Sequence, residues 1–241
     1  MQGTNRRIFE HRLRQLIAVT VERQGTAEVS FGTGFWESEE GYKRDILDCA
    51  RKELQLENWG INNKFIVKSV CNAIYNVKGA DDKQQNLVSK ESQLNVMEAF
   101  LKNDKRVAEV ATWFRALYQG GNIAEASVFE GIARLLIEEK VYDAMSVTAY
   151  LFFIKDPHKY MPVRKNGYRE RLPKLDISAE CVKTCTWNNY QFLLSQMKTM
   201  QGYLKEYFPN AELIDAQSFL WMMWLVDSKT PEYDIANCVL K

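Results

Sequence analysis

One stretch of the sequence constrains the fold more than any other. Residues 144–154 are almost all apolar, and this run ends abruptly at Lys155-Asp156-Pro157. The run is too short to span a bilayer, for which about 18 or more apolar residues are needed. A helix that is apolar on nearly all sides is typical of the centre of a helical protein. The sequence therefore predicts a buried central helix, which requires other helices to surround it.

Apolar residues recur at helical spacing along most of the remaining chain. This spacing, with Asn5 or Thr4 and with Asn62 or Asn63 as N-terminal caps, indicates several amphipathic helices. The least helical stretch lies near residues 26–36, where a short strand or an extended arm is expected. We therefore predict a mainly α fold, a multi-helix orthogonal bundle with a short extended segment near 26–36. The predicted helices cover 5–23, 41–57, 89–117 (as two helices), 123–140, 188–208 and 212–226, and one more follows Asn62.

A polar break at residues 79–83 is the best candidate for a boundary within the 241-residue chain. It predicts an N-terminal helical lobe over 1–80 and a C-terminal lobe over 81–241, packed together. The length also suits a single domain over 1–241, and this alternative stays open.

The five cysteines are odd in number and scattered along the chain. Because no secretory signal pattern precedes them, they predict reduced thiols and a cytoplasmic location, with no membrane association. Cys181 and Cys185 have helical spacing, but a zinc site needs two more ligands. The two histidines, His11 and His158, do not supply them. Neither a metal nor a cofactor is predicted.

A basic, tyrosine-bearing loop is predicted over residues 155–174. It carries a net charge of +5, whereas the whole chain carries +1. Binding follows the local field, so a patch like this can bind an anion in a nearly neutral protein. Cations that contact phosphate and aromatic rings that stack on bases are typical of nucleic-acid binding. The predicted contact residues are Lys159, Tyr160, Arg164, Lys165, Tyr168, Arg169 and Arg171. A solvated loop packed by its own tyrosines is the alternative.

The first predicted helix has a basic face as well. Arg6, Arg7, Arg12 and Arg14 lie opposite its apolar side. Such a face is either solvated or in contact with phosphate groups.

Catalytic residues are harder to find, and none is predicted. No serine lies in a nucleophile-elbow context, and two histidines leave little room for a nucleophile–base pair. Two acid–x–lysine triplets resemble part of a metal-dependent nuclease site, but no apolar strand presents either one. The triplets are Glu138-Glu139-Lys140 and Asp81-Asp82-Lys83.

Three blocks in the C-terminal part of the chain carry a resemblance to known proteins. They are residues 149–164, 185–193 and 213–221, with Asp156-Pro157-His158, Trp187-Asn188-Asn189-Tyr190 and Asp215-Ala216-Gln217 among their residues. The pattern resembles a helical region of uncharacterised bacterial proteins, some of which occur with restriction-type HNH endonucleases or in phage-defence settings. The resemblance implies a nucleic-acid or defence context and no defined reaction.

A weaker resemblance concerns residues 144–175. The order of a buried helix, Pro162-Val163 and a loop is similar to the catalytic segment of helix-hairpin-helix DNA glycosylases. That family has an aspartate directly after Pro-Val, where this chain has Arg164. The glycine-rich hairpin with its catalytic lysine is also missing from 121–142. The resemblance thus implies a DNA-facing surface without the excision chemistry.

Together these observations favour a binding protein. The expected ligand is nucleic acid, DNA rather than RNA, or a nuclease subunit. One alternative is a protein–protein module that docks an acidic partner through the basic loop or through the helix that carries Trp221 and Trp224. Another is an enzyme, either a metal-dependent nuclease or a glycosylase-like lyase. Enzymatic activity is left open.

Overall fold

The computed structural model describes residues 5–78 and 87–240, and it confirms the mainly α fold. The boundary predicted at 79–83 and the triplet Asp81-Asp82-Lys83 lie outside the described residues. The helices in the described residues are α1 Arg6–Gln24, α2 Gly34–Glu40, α3 Tyr42–Leu54, α4 Asn63–Tyr75, α5 Lys90–Phe100, α6 Asp104–Tyr118, α7 Glu125–Glu138, α8 Ala144–Lys155, α9 Lys165–Arg171, α10 Trp187–Lys205 and α11 Leu213–Met222.

Side chains of the predicted capping type start five of these helices. Each such side chain accepts a hydrogen bond from a backbone N–H of the first turn, which otherwise has no partner in the helix. The residues that cap in this way are Asn5 for α1, Asn62 for α4, Ser89 for α5, Asn103 for α6 and Asp143 for α8. Gly25 ends α1 in a left-handed conformation, with φ of 69°.

The chain divides into two compact units that differ from the predicted lobes. The first unit joins residues 1–42, 166–183 and 191–241, and the second joins 43–165 and 184–190. These units differ from the predicted lobes because α1 finds packing partners late in the sequence, in α11 and in the turn that follows it.

The second unit is arranged around α8. Every residue from Ala144 to Ile154 in this helix is buried, as predicted. Helix α4 packs on α5 and α6, α6 on α7, and α7 on α8. The last carbonyls of α8 receive side-chain donors, since Tyr118 Oη donates to Leu151 O at 3.0 Å and Arg51 Nε donates to Ile154 O at 3.1 Å. These donors replace the water that buried carbonyls lack.

The first unit is arranged around α1. The ring of Phe9 lies 4.8 Å from that of Phe219 in α11 and 5.3 Å from that of Tyr203 in α10, between ring centroids. At the other end of α1, Trp36 Nε1 donates to Thr20 Oγ1 at 2.6 Å. The indole of Trp36 is buried, so this bond satisfies its only donor.

The extended segment expected near 26–36 is shorter than predicted. Only β1, Glu28–Val29, is a strand, and α2 begins at Gly34. This strand pairs in parallel with β2, Val239–Leu240, with Glu28 opposite Val239. The pairing was missed because two-residue strands leave no periodic pattern in a sequence.

A close contact between α6 and α7 generates a prediction about Gly131. A Cβ atom at this position would meet the indole ring of Trp113 at 2.5 Å. We expect Gly131→Ala to lower the free energy of unfolding by about 1–3 kcal/mol, because the ring must move away from its packed position. Urea denaturation measures the change.

The matched control is Gly202→Ala in α10. No atom lies within 4 Å of the added Cβ, and the position is an exposed helix interior. Alanine there favours the helix, so we expect a gain of about 0.5–1 kcal/mol. A loss at Gly202, or no loss at Gly131, would contradict this packing.

Candidate functional site

The cationic segment, defined here as residues 155–165, begins at the last residue of α8 and belongs to the second unit. Asp156 shapes its first turn. The Asp156 carboxylate accepts hydrogen bonds from the backbone N–H groups of His158 at 3.0 Å and Lys159 at 3.2 Å, and its carbonyl accepts from Tyr160 at 2.9 Å. Aspartate is suited to such turns because its short side chain reaches the backbone two residues on. The turn places Lys155 and Lys159 on the same side.

Two hydrogen bonds join the middle of the segment to the first turn of α10. The hydroxyl of Tyr190 donates to Met161 O at 2.9 Å and accepts from Met161 N–H at 3.3 Å. Trp187 begins α10, and its backbone N–H donates to Glu130 Oε1 at 2.7 Å. Two blocks distant in the sequence, around residues 160 and 190, therefore hold each other in place.

Five aromatic rings pack beneath the segment. The ring of Phe152 in α8 lies 5.0 Å from that of Tyr160 and 5.5 Å from that of Phe129, and the ring of Tyr190 lies 5.1 Å from that of Phe129. Trp187 completes the cluster. Edge-on, tilted and stacked pairs of this kind each contribute about 0.5–1.5 kcal/mol beyond the burial of their area. These five packed rings form the rigid base of the cationic segment.

Lys155 and Lys159 share one carboxylate, that of Glu125 in α7. The Nζ atoms of Lys155 and Lys159 lie 3.2 and 2.7 Å from Oε1 and Oε2 of Glu125. Burial acts to raise the pKa of Glu125, but the hydrogen bonds from Lys159 and Lys155 outweigh it and lower the pKa to about 2. The hydrogen bond to Glu125 also raises the pKa of Lys159. With two cations on one anion, the group keeps a positive charge.

The structure buries Tyr160 and Tyr168, the two residues that were predicted to stack on bases. Tyr160 is 0% exposed and Tyr168 is 1% exposed, so neither ring presents a face. Burial raises the pKa of the Tyr160 hydroxyl to about 12 and raises that of Tyr168 still further. Their apolar rings gain more from the core than from water, and this corresponds to the alternative of a segment packed by its own tyrosines.

The rest of the predicted basic loop is not a loop. Lys165 begins α9, and a 3₁₀ turn, Leu172–Leu175, follows it. Lys174 donates to the carbonyls of Met223 and Val226 at 2.6 and 2.8 Å, at the end of the turn that follows α11. A cation is stabilised at such a helix end by the carbonyl dipoles.

Arg171 and Gly167 belong to a packed contact in the first unit. The guanidinium of Arg171 lies 4.1 Å from the ring centroid of Trp221, and a Cβ atom on Gly167 would collide with the same ring. Trp224 is 51% exposed, and its ring lies 5.9 Å from the guanidinium of Arg23. The structure uses Arg171 as a stacking partner for Trp221.

The remaining predicted cations differ in exposure. Lys159 has a side chain that is 50% exposed and Arg169 is exposed, whereas Arg164 and Lys165 are half-buried. Lys159, Arg164 and Lys165 lie in the second unit, and Arg169 lies on α9 in the first. The structure thus brings together Lys155, Lys159 and Glu125, a set that the sequence did not reveal.

The acids of the triplet Glu138-Glu139-Lys140 are engaged in ion pairs. Arg134 Nη1 lies 2.8 Å from Glu138 Oε1, and Arg106 Nη2 lies 3.1 Å from Glu139 Oε1. The hydrogen bond from Arg134 lowers the pKa of Glu138. These arginines neutralise the charge that a divalent metal would require. Across residues 5–78 and 87–240, no three His, Cys, Asp or Glu side chains cluster in a way that could hold a metal ion.

No protein-family model, curated protein or solved structure matches this chain. The two resemblances drawn from the sequence therefore stay predictions. Within the part of the chain that the structure describes, no helix combines the length and apolar character needed to cross a membrane.

Sequence reasoning missed Glu125 and Tyr190. Glu125 lies 30 residues before Lys155, and nothing in its local sequence distinguishes it from other helix-starting acids. Tyr190 lies on the apolar face of α10, where a tyrosine is indistinguishable from a core residue. A contact between distant segments was the missing information in both cases.

The hydroxyl of Tyr190 generates a prediction about the cationic segment. We expect Tyr190→Phe to lower the free energy of unfolding by about 1–3 kcal/mol, because the buried carbonyl of Met161 loses its donor. Hydrogen exchange should accelerate at the Met161 amide. The Val147 amide, which donates to Asp143 O, is the internal control. Equal acceleration at both amides would contradict a local role.

The lowered pKa of Glu125 generates a prediction about pH. Because the folded pKa of about 2 lies below the ordinary 4.5, Glu125 adds stability above pH 4.5 and loses it as the pH falls towards 2. We expect Glu125→Gln to lower the free energy of unfolding by about 0.5–1 kcal/mol at pH 7. The difference from the parent protein should shrink below pH 4.5 in urea denaturation. A constant difference down to pH 3 would contradict the assignment.

Proposed function

We propose that this chain binds nucleic acid, with DNA as the first ligand to test, through phosphate contacts made by the cationic segment 155–165. One observation carries the proposal: Lys155 and Lys159 are held side by side on a rigid base, with a single carboxylate between them. The segment carries four Lys/Arg and one acid of its own, Asp156, and Glu125 pairs with two of the four cations. It therefore keeps a positive field.

The rigid base supports the proposal because it lowers the cost of binding. Lysine side chains lose conformational freedom when they bind a phosphate, and ordering a loop adds to that cost. Asp156 and Tyr190 have already fixed the backbone of the segment. The ligand then needs to order only the ends of the lysine side chains.

Binding of this kind is expected to be insensitive to base sequence. With Tyr160 buried, the segment offers charge and no tyrosine ring for stacking. Phosphate contacts position a protein on nucleic acid without reading its sequence. A nuclease partner and a defence setting, which the resemblance implies, stay predictions.

Charge reversal at Lys159 tests the proposal. We expect the parent protein to bind labelled double-stranded DNA with a slope of log K against log salt of about −2 to −3, as two or three phosphate contacts require. Lys159→Glu should reduce that slope by about 1 and weaken binding. Glu125→Gln should strengthen binding about two- to fivefold, because it releases both lysines from an ion pair. Fluorescence anisotropy over a salt series measures all three.

Two variants serve as matched controls. Lys105→Glu makes the same charge change at an exposed lysine of α6, and Glu138→Gln removes a carboxylate from another ion-paired group in the second unit. Neither should change the affinity by more than about twofold. The proposal fails if the parent protein does not bind DNA at low salt, or if Lys105→Glu weakens binding as much as Lys159→Glu does. Tighter binding of polyglutamate than of DNA would favour the acidic-partner alternative.

A further inference from the structure

A second cationic surface lies on α1, in the first unit. Arg7, His11 and Arg14 follow one another at spacings of four and three residues, which places them on one face of the helix. The stripe they form is about 10 Å long at the helical rise of 1.5 Å per residue. Together with Ile8, Glu10 and Glu232 they line a groove of about 580 Å³.

The groove already holds an oxyanion. Glu232, which comes from the C-terminal tail, places its Oε1 atom 2.9 Å from His11 Nδ1 and its Oε2 atom 4.0 Å from Arg14 Nε. The neighbouring acid Glu10 is engaged elsewhere, since its Oε1 lies 2.9 Å from Arg6 Nε. Two carboxylates therefore line the groove with Arg7 and Arg14: Glu10, which pairs with Arg6 on the same helix, and Glu232, which belongs to a different segment of the chain.

The tail that carries Glu232 comprises residues 227–240, and none of these residues is buried. It is attached by the pairing of β2 with β1, by the ion pair of Glu232 and by hydrogen bonds. Among these bonds, Gln15 Nε2 donates to Thr230 O at 2.6 Å, the Tyr233 amide donates to Arg14 O at 3.2 Å and the Val239 amide donates to Ala27 O at 2.9 Å. Hydrogen bonds contribute about 0.5–1.5 kcal/mol each and no tail residue is buried, so the tail opens at a smaller cost than the core.

We propose that this groove is a phosphate-binding site, that Glu232 occupies it in the unliganded protein, and that a phosphate-bearing ligand displaces Glu232 and loosens the tail. Pyrophosphate and phosphate monoesters carry more charge than a carboxylate, and any phosphate group offers more acceptor oxygens, so it gains more from two arginines. The inference does not rest on the proposed function, because its residues belong to the other unit.

The test measures binding of pyrophosphate by calorimetry and of a short labelled single-stranded DNA by anisotropy, with the whole chain. We expect Glu232→Gln to tighten the binding of pyrophosphate about two- to fivefold, since it removes the competing anion. Arg7→Glu with Arg14→Glu should abolish that binding. Pyrophosphate should also accelerate hydrogen exchange at the Tyr233 and Val239 amides. Thermal unfolding checks that each variant folds.

The matched control is Glu206→Gln. This variant removes the same charge from the carboxylate of Glu206, which lies 2.6 Å from Nη2 of Arg6 in α1. Neither Glu206 nor Arg6 lines the groove. The variant should leave the affinity for pyrophosphate unchanged. If Glu232→Gln has no larger effect than Glu206→Gln, or if neither probe binds the parent protein, the inference is overturned.

The two probes also distinguish the source of the phosphate. Binding of both probes, each lost in the double arginine variant, supports a site for a phosphate group as such. Binding of DNA alone, lost in the same variant, supports the backbone of a nucleic acid. All these measurements are repeated in a Lys159→Glu background, where the groove on α1 should behave as before. This comparison distinguishes a groove that does not bind phosphate from a cationic segment that does not bind DNA.

Discussion

The second unit depends on one constraint, which is the complete burial of α8. Its side chains from Ala144 to Ile154 are all removed from water, and so are the polar groups at its ends. Asp143 supplies the acceptor at the first turn, and Tyr118 and Arg51 supply donors at the last. From Ala144 onwards, the chain first reaches water at residue 155, and the charged residues Lys155 and Asp156 stand at this point. The cationic segment is the direct continuation of a buried helix.

Local signals predicted most of the fold. Asn5 and Asn62 act as caps where expected, and the apolar run became the central helix, because capping and periodicity depend on residues a few positions apart. These local signals could not predict which distant segments pair or pack with one another. The short strand pairing of β1 with β2, and the packing of α1 against α11, join residues some 200 positions apart. The two compact units follow from such contacts, so the predicted lobes differ from them.

The candidate site was predicted by its charge and not by its geometry. Lysines and arginines can be recognised in a sequence, but the role of each one depends on the residues that it contacts in the folded chain. Lys174 stabilises the end of a helical turn, Arg171 stacks on Trp221, and Lys159 faces Glu125. Tyrosines are more ambiguous still, since the same ring suits a core and a stacking surface. Burial assigned Tyr160 to the core, and the sequence had left both readings open.

The packing of Phe9 against Phe219 has a consequence for synthesis of the chain. The two rings touch in the folded unit, but a ribosome that adds about 5–20 residues per second needs on the order of 10–40 s to produce the later one. Throughout that interval the apolar face of α1 lacks this native partner, while most of the second unit has already emerged. Nascent chains would thus expose Phe9, Leu13, Leu16 and Ile17 to chaperones, and the first unit completes its core only after α11 has been synthesised.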